Sequence, residues 1–463
     1  MRLTFYGAAR QVTGSMFLLE LQDEYKILID CGIDFENNQA SALFPFDPAS
    51  IDLMLLTHAH LDHSGKIPNL YQAGYDGQIL CTPATFDLTR LILSDSVAIQ
   101  SKNVKRRLRR KKYGIRKVSD EELLDKYLEE AEDRFVTLAF NKRFEIRSDI
   151  AVTFIPAGHL LGAAHILIEV LSGDKWIKIG FSGDVGRMNY PLLQDPEKMP
   201  QVDYLICETT YGNRIHQEST NPEEILFELI NKACVDIPGR MIIPSFSVGR
   251  TQALLFTLNK LAREGRLPPV KVFADSPMAG ACTEIYQNYF SLLNDEAREF
   301  YQSNSSLFDF DNLITVSGNR GSKAISSYME PCIILSSSGM IRGGRIQEHI
   351  RKNLSNQYCS ILLVGHCAEG TIGHSLFTGE KTITIKGHNI PVNANIIYTD
   401  VFSGHGDQND LLRFVESQKP EEIQTIFLVH GEEQSMTDFA DKLSGKGYNR
   451  VEIPQKEAVY ELD

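Results

Sequence analysis

The stretch "LLTHAHLDHSG", residues 55–65, places three histidines and one aspartate within the six residues from His58 to His63. Burying imidazole and carboxylate groups costs desolvation free energy, so an apolar segment that carries four of them needs a compensating partner. We consider a metal ion first, because histidine nitrogen together with carboxylate oxygen favours zinc, with manganese or iron as substitutes. The stretch therefore predicts a metal site at the end of a strand.

The spacing within this stretch predicts two adjoining half-sites. His58 and His60 point the same way in an extended turn, because side chains alternate with a period of two. Asp62 and His63 open the following helical turn and face a neighbouring position. A lone histidine is usually an ordinary hydrogen-bonded or exposed residue, but four unpaired buried groups would be too costly for that interpretation.

Further candidate ligands stand where other predicted strands end. They are Asp30 in "ILIDCG", His159 in "FIPAGHLLGAAH", Asp184 in "IGFSGDVG" and His430 in "TIFLVHGEE". Glycines next to these residues let the backbone turn sharply and bring a side chain to the sheet edge. We therefore expect the strand ends of one sandwich to converge on a single rim.

The composition is that of an ordinary globular chain, and 463 residues favour two domains over one. No apolar run approaches the roughly 20 residues that a membrane-spanning helix needs. The N-terminus, "MRLTFYGAARQVTG", is typical of a first strand rather than of a secretory signal. The eight cysteines lack CxxC pairs, which indicates reduced thiols, so we expect a cytoplasmic protein without a membrane partner.

The charge is unevenly distributed along the chain. A net charge of −13 argues against nonspecific nucleic-acid binding. Residues 102–117, "KNVKRRLRRKKYGIRK", nevertheless hold ten basic residues and no acidic one, and an acidic helical segment follows. This basic strip is either half of a solvated, self-compensating helical hairpin or a cationic guide near a site that handles phosphates.

The secondary-structure pattern changes twice. Short apolar strands dominate up to "VDYLICETT", helices and strands then alternate, and a strand-rich pattern returns near residue 390. Alternation of this kind predicts a mostly parallel sheet flanked by helices. We therefore expect a second domain inserted into the first, with segments 1–210 and 389–463 forming one domain and 211–388 the other.

Several of these segments resemble a known family. "LIDCG", "THAHLDHSG", "PAGHLLGAAH" and "FSGDVG" resemble the successive motifs of the metallo-β-lactamase fold. "ICETTYGN", "VFSGHGDQ" and "FLVHGEE" resemble the additional motifs of its β-CASP family, which includes the cleavage and polyadenylation endonuclease and related bacterial and archaeal ribonucleases. The resemblance implies an α/β fold, an αββα sandwich with an inserted β-CASP domain.

The resemblance also implies a role for each motif residue and two zinc ions per chain. The implied ligands are His58, His60 and His159 for the first zinc, Asp62, His63 and His430 for the second, and Asp184 for both. Asp30 would orient a ligand histidine through its ring N–H. Glu208 and His405 would protonate the departing oxygen, and Asp62 is counted with them among the catalytic residues.

Polar turns of the inserted segment are candidates for phosphate contacts. They are Ser247, Arg250, Ser337, Thr371 and His374, although Ser247 and Arg250 could equally cap the following helix. Four other histidines are given ordinary interpretations: we expect His165 in the core and His216, His349 and His388 at the surface.

The resemblance implies hydrolysis of phosphodiester bonds in single-stranded RNA, with the inserted domain closing over the metal rim. Three alternatives stay open: a DNA phosphodiesterase of the same family, a small-ester or thioester hydrolase, and a noncatalytic scaffold paralogue. The ester hydrolase would have no use for Glu208 and His405, and the scaffold would be expected to lack metal ligands. Internal and terminal cleavage are equally compatible with the motifs, and a homodimer, frequent in the family, is one expected assembly.

Overall fold

The computed structural model describes residues 1–35, 43–110, 124–216, 221–365 and 367–463. The side chains of the basic strip 102–117 lie outside the described residues. The chain divides into two compact units, a first made of 1–188, 195–215 and 405–463 and a second made of 189–194 and 216–404. The finer domain boundaries expected from the sequence, at 210/211 and 388/389, stay a prediction.

The strands are, in chain order, β1 (Arg2–Phe5), β2 (Phe17–Glu20), β3 (Lys26–Ile29), β4 (Leu53–Leu55), β5 (Gln78–Cys81), β6 (Phe135–Thr137), β7 (Phe144–Arg147), β8 (Ile150–Pro156), β9 (Ala164–Ser172), β10 (Lys175–Phe181), β11 (Tyr204–Glu208), β12 (Arg240–Pro244), β13 (Lys271–Asp275), β14 (Leu313–Thr315), β15 (Cys332–Ser336), β16 (Cys359–Leu363), β17 (Thr382–Ile385), β18 (His388–Pro391), β19 (Asn395–Tyr398), β20 (Thr425–Val429), β21 (Val451–Glu452) and β22 (Val459–Glu461).

The helices are α1 (Leu61–Ser64), α2 (Ile67–Gln72), α3 (Pro83–Arg110), α4 (Leu124–Glu132), α5 (Pro222–Ile230), α6 (Arg250–Arg263), α7 (Pro277–Asn288), α8 (Asp295–Asn304), α9 (Asn319–Ile325), α10 (Ile346–Asn353), α11 (Ile372–Phe377), α12 (Gln408–Val415) and α13 (Glu433–Gly445). Shorter helical turns lie at Pro48–Ser50, Asn231–Asp236 and Phe290–Leu292.

The first unit is a sandwich of two sheets. Their strand orders are β22-β1-β2-β3-β4-β5-β6 and β21-β20-β11-β10-β9-β8-β7. Aromatic side chains from both sheets meet between them: the ring centroids of Phe5 and Phe427 are 5.2 Å apart, and those of Phe17 and Phe181 are 6.0 Å apart. This interleaving buries the inner faces of both sheets and builds the core.

Helices cover the outer face of each sheet. Leu70 of α2 packs in one apolar cluster with Met54 and Ile79 of the first sheet. Phe439 of α13 packs in another with Leu428 of the second sheet. Four layers result, helix, sheet, sheet and helix, which confirms the predicted αββα sandwich.

The second unit is built around a parallel sheet of strand order β14-β13-β15-β12-β16-β19. Its pairings are all parallel, and helices connect most of the strands, as the alternating pattern predicted. Apolar side chains of strands β12, β15 and β16 and of helix α10 form one buried cluster. The predicted mostly parallel, helix-flanked sheet is therefore confirmed.

Two constraints bring the motif residues to one edge of the first unit. Asp30 and His430 adopt left-handed backbone conformations, with φ of 59° and 49°, directly after β3 and β20. Gly32 lets the segment after β3 pass very close to α1, because a β-carbon at this position would lie 1.6 Å from the carbonyl oxygen of Asp62. Only glycine fits there.

Within the described part of the chain, each helix is too short or too polar to span a lipid bilayer. All eight cysteines are buried, and none of them forms a disulfide.

Gly32→Ala should destabilise the first unit by about 3 kcal/mol, because the new methyl group must displace the backbone of α1. Gly343→Ala is the matched control, since a β-carbon at Gly343 would meet no atom within 4 Å. Thermal unfolding of both variants measures the difference. Equal melting temperatures for Gly32→Ala and the unsubstituted protein would contradict the close approach.

Candidate active site

The first half-site gathers three histidines and one carboxylate whose ligand atoms all lie within 4.8 Å of one another. The Nδ1 atom of His60 lies 3.1 Å from Nε2 of His58 and 3.2 Å from Nε2 of His159. Both of these Nε2 atoms lie 3.4 Å from Oδ2 of Asp184. Three nitrogens and one oxygen around one point match the ligand number of zinc.

The second half-site adjoins the first through the other oxygen of Asp184. Nε2 of His63 lies 3.2 Å from Nε2 of His430 and 3.2 Å from Oδ1 of Asp184. Nε2 of His430 lies 3.6 Å from Oδ2 of Asp62 and 3.6 Å from Oδ1 of Asp184. One carboxylate thus faces both clusters, with a separate oxygen turned to each.

The surroundings of Asp184 test whether a metal fits. Its Oδ1 is buried and accepts no hydrogen bond from any described residue. A buried, ionised carboxylate oxygen without a donor is costly unless a cation compensates it. The donor set around it therefore fits a pair of metal ions.

The predicted convergence of strand ends is what the structure shows. His58 and His60 follow β4, Asp62 and His63 lie in α1, His159 follows β8, Asp184 follows β10 and His430 follows β20. Residues from distant parts of the sequence meet because neighbouring strands of both sheets end at the same rim.

Asp30 lies behind the second half-site. Its Oδ2 is 2.6 Å from Nδ1 of His63, and its Oδ1 accepts the backbone N–H of Thr57 at 2.8 Å. The Thr57 hydroxyl also lies 2.8 Å from Oδ2 of Asp30 and 3.1 Å from Nδ1 of His58. Asp30 and Thr57 therefore hold the Nδ1 sides of two histidines, which leaves both Nε2 atoms turned to the half-sites.

The histidines divide electrostatically into two groups. Burial lowers the pKa of His60 to about 4 and holds that of His58 well below its ordinary value. Burial also disfavours charge on His63, but Asp184 and Asp30 outweigh it and hold the pKa of His63 well above normal. A proton on a histidine with a raised pKa, such as His63, supplies positive charge that a metal ion would replace. Metal binding should therefore release protons.

Glu208 and His405 form a pair next to the first half-site. Nδ1 of His405 lies 3.1 Å from Oε1 of Glu208, which also accepts the backbone N–H of Val185 at 2.7 Å. Nε2 of His405 lies 3.8 Å from Oδ2 of Asp184 and thus faces the first half-site. Burial opposes protonation of His405, but Glu208 and Asp184 outweigh it and raise its pKa to about 9.

Serine hydroxyls of the second unit meet at the carboxyl ends of β12, β13 and β15. Oγ of Ser247 lies 2.6 Å from Oγ of Ser337, which lies 2.9 Å from Oγ of Ser276. Ser276 was missed from the sequence, where its only signal is the "DSP" turn. Gly249 precedes α6 and no described side chain caps that helix, so the capping alternative for Ser247 and Arg250 is wrong.

The other phosphate candidates have intramolecular partners. Nε of Arg250 donates to the carbonyl oxygen of Phe402 at 3.1 Å. Thr371 caps α11 by accepting the backbone N–H of His374 at 3.1 Å, and Nδ1 of His374 lies 3.1 Å from the carbonyl oxygen of Cys367. These hydrogen bonds hold the side chains of Arg250, Thr371 and His374 in place. A phosphate contact of these side chains stays a prediction.

Among the remaining histidines, two predictions are confirmed and two are wrong. His165 is buried, with Nδ1 2.5 Å from the carbonyl oxygen of Ser182, and His388 is exposed. His216 and His349 were expected at the surface but are buried. Their carboxylate partners, Asp400 at 3.2 Å and Asp275 at 2.7 Å, lie far away in the sequence.

Three family models match the chain. Their descriptions are Metallo-beta-lactamase superfamily domain for residues 18–178, Beta-Casp domain for 251–376 and Zn-dependent metallo-hydrolase RNA specificity domain for 389–454.

Curated relatives match nearly the full chain. Ribonuclease TTHA0252 of Thermus thermophilus is 31% identical over 96% of this chain and 97% of its own length. Transcription termination factor FttA of Methanosarcina mazei is 31% identical over 96% of this chain and 69% of its own. Cleavage and polyadenylation specificity factor 73 of Drosophila melanogaster is 30% identical over 93% of this chain and 60% of its own.

The two-sheet sandwich, with histidine and aspartate clusters at its strand ends, defines an enzyme of the metallo-hydrolase class with a metallo-β-lactamase fold. Within that class the chain belongs to the β-CASP family. The family resemblance seen in the motifs is thereby confirmed.

The raised pKa of His405 makes the stability of the metal-free protein depend on pH. Because the folded-state pKa of about 9 exceeds the ordinary value of 6.5, the stabilisation is complete below pH 6.5 and is lost as pH rises through 9. Glu208→Gln should remove most of this dependence and lower the midpoint of the His405 titration. Melting temperatures across this range, with NMR titration of the imidazole, measure both effects.

Glu169→Gln is the matched control, since Glu169 pairs with Arg143 on the same sandwich and does not contact His405. An unchanged His405 midpoint in Glu208→Gln would show that Glu208 does not set its protonation.

Proposed function

We propose that this protein is a zinc-dependent ribonuclease that hydrolyses phosphodiester bonds of single-stranded RNA by a two-metal mechanism. The observation that carries the proposal is the pair of half-sites joined by Asp184, together with the Glu208–His405 pair beside them. The names of the relatives support RNA as the substrate: a ribonuclease, a transcription termination factor and a cleavage and polyadenylation specificity factor. The RNA specificity domain matched at residues 389–454 supports it as well.

The proposed ligands of the first zinc are His58, His60 and His159, those of the second are Asp62, His63 and His430, and Asp184 serves both. Two zinc ions supply Lewis-acid chemistry when bound, since they activate water near neutral pH and neutralise charge on a phosphate. Asp62 is proposed to act in catalysis through this ligand role. Asp30 holds His63 in the orientation that presents Nε2.

His405 is proposed as the general acid. Its Nδ1 faces Glu208, so its Nε2 is left to deliver a proton toward the metal cluster. Glu208 contributes to raising the pKa of His405 in the metal-free protein, and such a carboxylate favours the protonated imidazole that a general acid needs. The departing oxygen of a cleaved phosphodiester needs such a proton, whereas a small-ester hydrolase would have no use for the pair.

Phosphate contacts are proposed for polar side chains of the second unit. The candidates are Ser247, Arg250, Ser337, Thr371 and His374. Hydroxyl and N–H groups at the carboxyl ends of parallel strands and at a helix N-terminus are suited to anionic oxygens. The basic strip 102–117 stays a proposed guide for the RNA backbone.

The alternatives differ in what they explain. A scaffold paralogue does not account for a complete ligand set around Asp184. DNA stays the nearest alternative substrate, because nothing in the sequence motifs reads a 2′-hydroxyl. The eight cysteines without disulfides support a reducing compartment such as the cytoplasm. A homodimer is proposed from the family resemblance.

His405→Ala should keep the bound zinc and lose about 10²- to 10⁴-fold in cleavage rate, the contribution typical of a general acid. The assay uses end-labelled single-stranded RNA and a DNA of the same sequence, with zinc content measured on each preparation. His388→Ala is the control, because His388 is an exposed histidine of the second unit.

The product ladder separates internal from terminal cleavage. Wild-type turnover in His405→Ala would contradict the general-acid assignment. Cleavage of DNA at the rate of RNA would contradict the ribonuclease assignment, and a zinc-loaded protein that cleaves neither polymer would favour the ester-hydrolase alternative.

A further inference from the structure

Thr210, two residues after Glu208, contacts both parts of the candidate active site. Its Oγ1 lies 2.9 Å from Nδ1 of His430 and 3.1 Å from the backbone carbonyl oxygen of the same residue. Its backbone N–H donates to Oε2 of Glu208 at 3.1 Å. One residue therefore adjoins a proposed metal ligand and the carboxylate that pairs with His405.

The threonine hydroxyl has only one hydrogen to give. A carbonyl oxygen can only accept, so the bond to the His430 carbonyl uses that hydrogen. The Oγ1 lone pairs are then left to accept from Nδ1–H of the His430 ring. In this arrangement the ring holds a proton on Nδ1, and Nε2, which lies 3.6 Å from both Asp62 and Asp184, is the nitrogen left to bind a metal ion.

Four proposed ligand histidines, His58, His63, His159 and His430, turn Nε2 to the half-sites. The Nδ1 partners of His58, His63 and His430 differ from one another. Nδ1 of His63 faces the carboxylate of Asp30 directly, and Nδ1 of His58 reaches the same carboxylate through the Thr57 hydroxyl. For His430 the neutral Thr210 hydroxyl performs this function. Its removal would leave a buried ring N–H without this acceptor whenever a metal occupies Nε2, which makes metal binding less favourable.

The competing interpretation is that Thr210 has a purely structural role. The neighbouring residue Thr209 has such a role. The hydroxyl of Thr209 donates to the carbonyl oxygen of Val429 at 2.8 Å and joins two strand ends without touching a histidine ring. Thr209 and Thr210 thus form a natural pair of buried or half-buried hydroxyls. Only one of them faces a ring nitrogen.

We propose that Thr210 is a positioning residue for the second metal, one that holds His430 in the tautomer that presents Nε2 and ties this ligand to Glu208. The inference rests on the proposed two-metal function. It predicts that the Thr210 hydroxyl sets the affinity of the second half-site and leaves the first half-site unaffected.

Zinc affinity, measured by chelator competition on the full chain, tests the proposal without an activity assay. Thr210→Val removes the hydroxyl at nearly constant volume. It should lower the affinity for one of the two zinc ions by about 10- to 100-fold, as is usual for loss of a group that orients a metal ligand. Thr210→Ser restores a hydroxyl and should bind both ions like the unsubstituted protein. Thr209→Val, the matched control, should also bind both ions normally.

The outcomes separate this inference from the function on which it rests. Unchanged affinity in Thr210→Val, an equal loss in Thr210→Ser, or an equal loss in Thr209→Val would each overturn the role of Thr210. Fewer than two zinc ions in the unsubstituted protein would overturn the proposed function instead. If Thr210→Val does not fold, Thr210→Ala removes the same hydroxyl without branching and replaces it in the comparison.

Discussion

The interaction on which the rest of the site depends is that of the Asp184 carboxylate with the histidines on its two sides. Its Oδ2 faces His58 and His159 at 3.4 Å, and its Oδ1 faces His63 at 3.2 Å, all in a buried setting. Low local polarity makes an uncompensated carboxylate costly, so this residue requires positive charge on both sides. Protonated histidines provide some of that charge in the metal-free protein, and two metal ions would provide it fully.

The fold meets this requirement by ending its strands where the ligands are needed. Asp30 and His430 take left-handed backbone conformations that cost about 1–3 kcal/mol each for residues other than glycine. Apolar packing between the two sheets, with Phe5 against Phe427 and Phe17 against Phe181, stabilises the sandwich that holds these strained turns. Local strain at the rim is thus offset by burial in the core.

Much of the fold and of the candidate site could be predicted from the sequence, because the sequence patterns that indicate them are local. The period-two spacing of His58 and His60 and the position of Asp184 directly after an apolar strand each predicted a side chain at the rim, where the structure places it. The change from a strand-rich pattern to alternating helices and strands predicted the parallel sheet of the second unit. Local patterns of this kind depend only on backbone geometry.

Features that depend on distant partners could not be predicted. His216 and His349 stand in polar sequence and were expected at the surface, yet Asp400 and Asp275 compensate their burial. The contact of Thr210 with His430 joins residues 220 positions apart, and a threonine hydroxyl in a turn carries no local sign of its acceptor. Such pairings become visible only when the strands are aligned in space.

The measurement that tests the two half-sites most directly is anomalous X-ray diffraction at the zinc absorption edge, on crystals of the zinc-loaded protein. Two peaks should appear about 3.5–4 Å apart, the spacing of two-metal hydrolytic sites, with one Asp184 oxygen directed at each. A single peak, or a pair of peaks that Asp184 does not separate, would contradict the shared carboxylate.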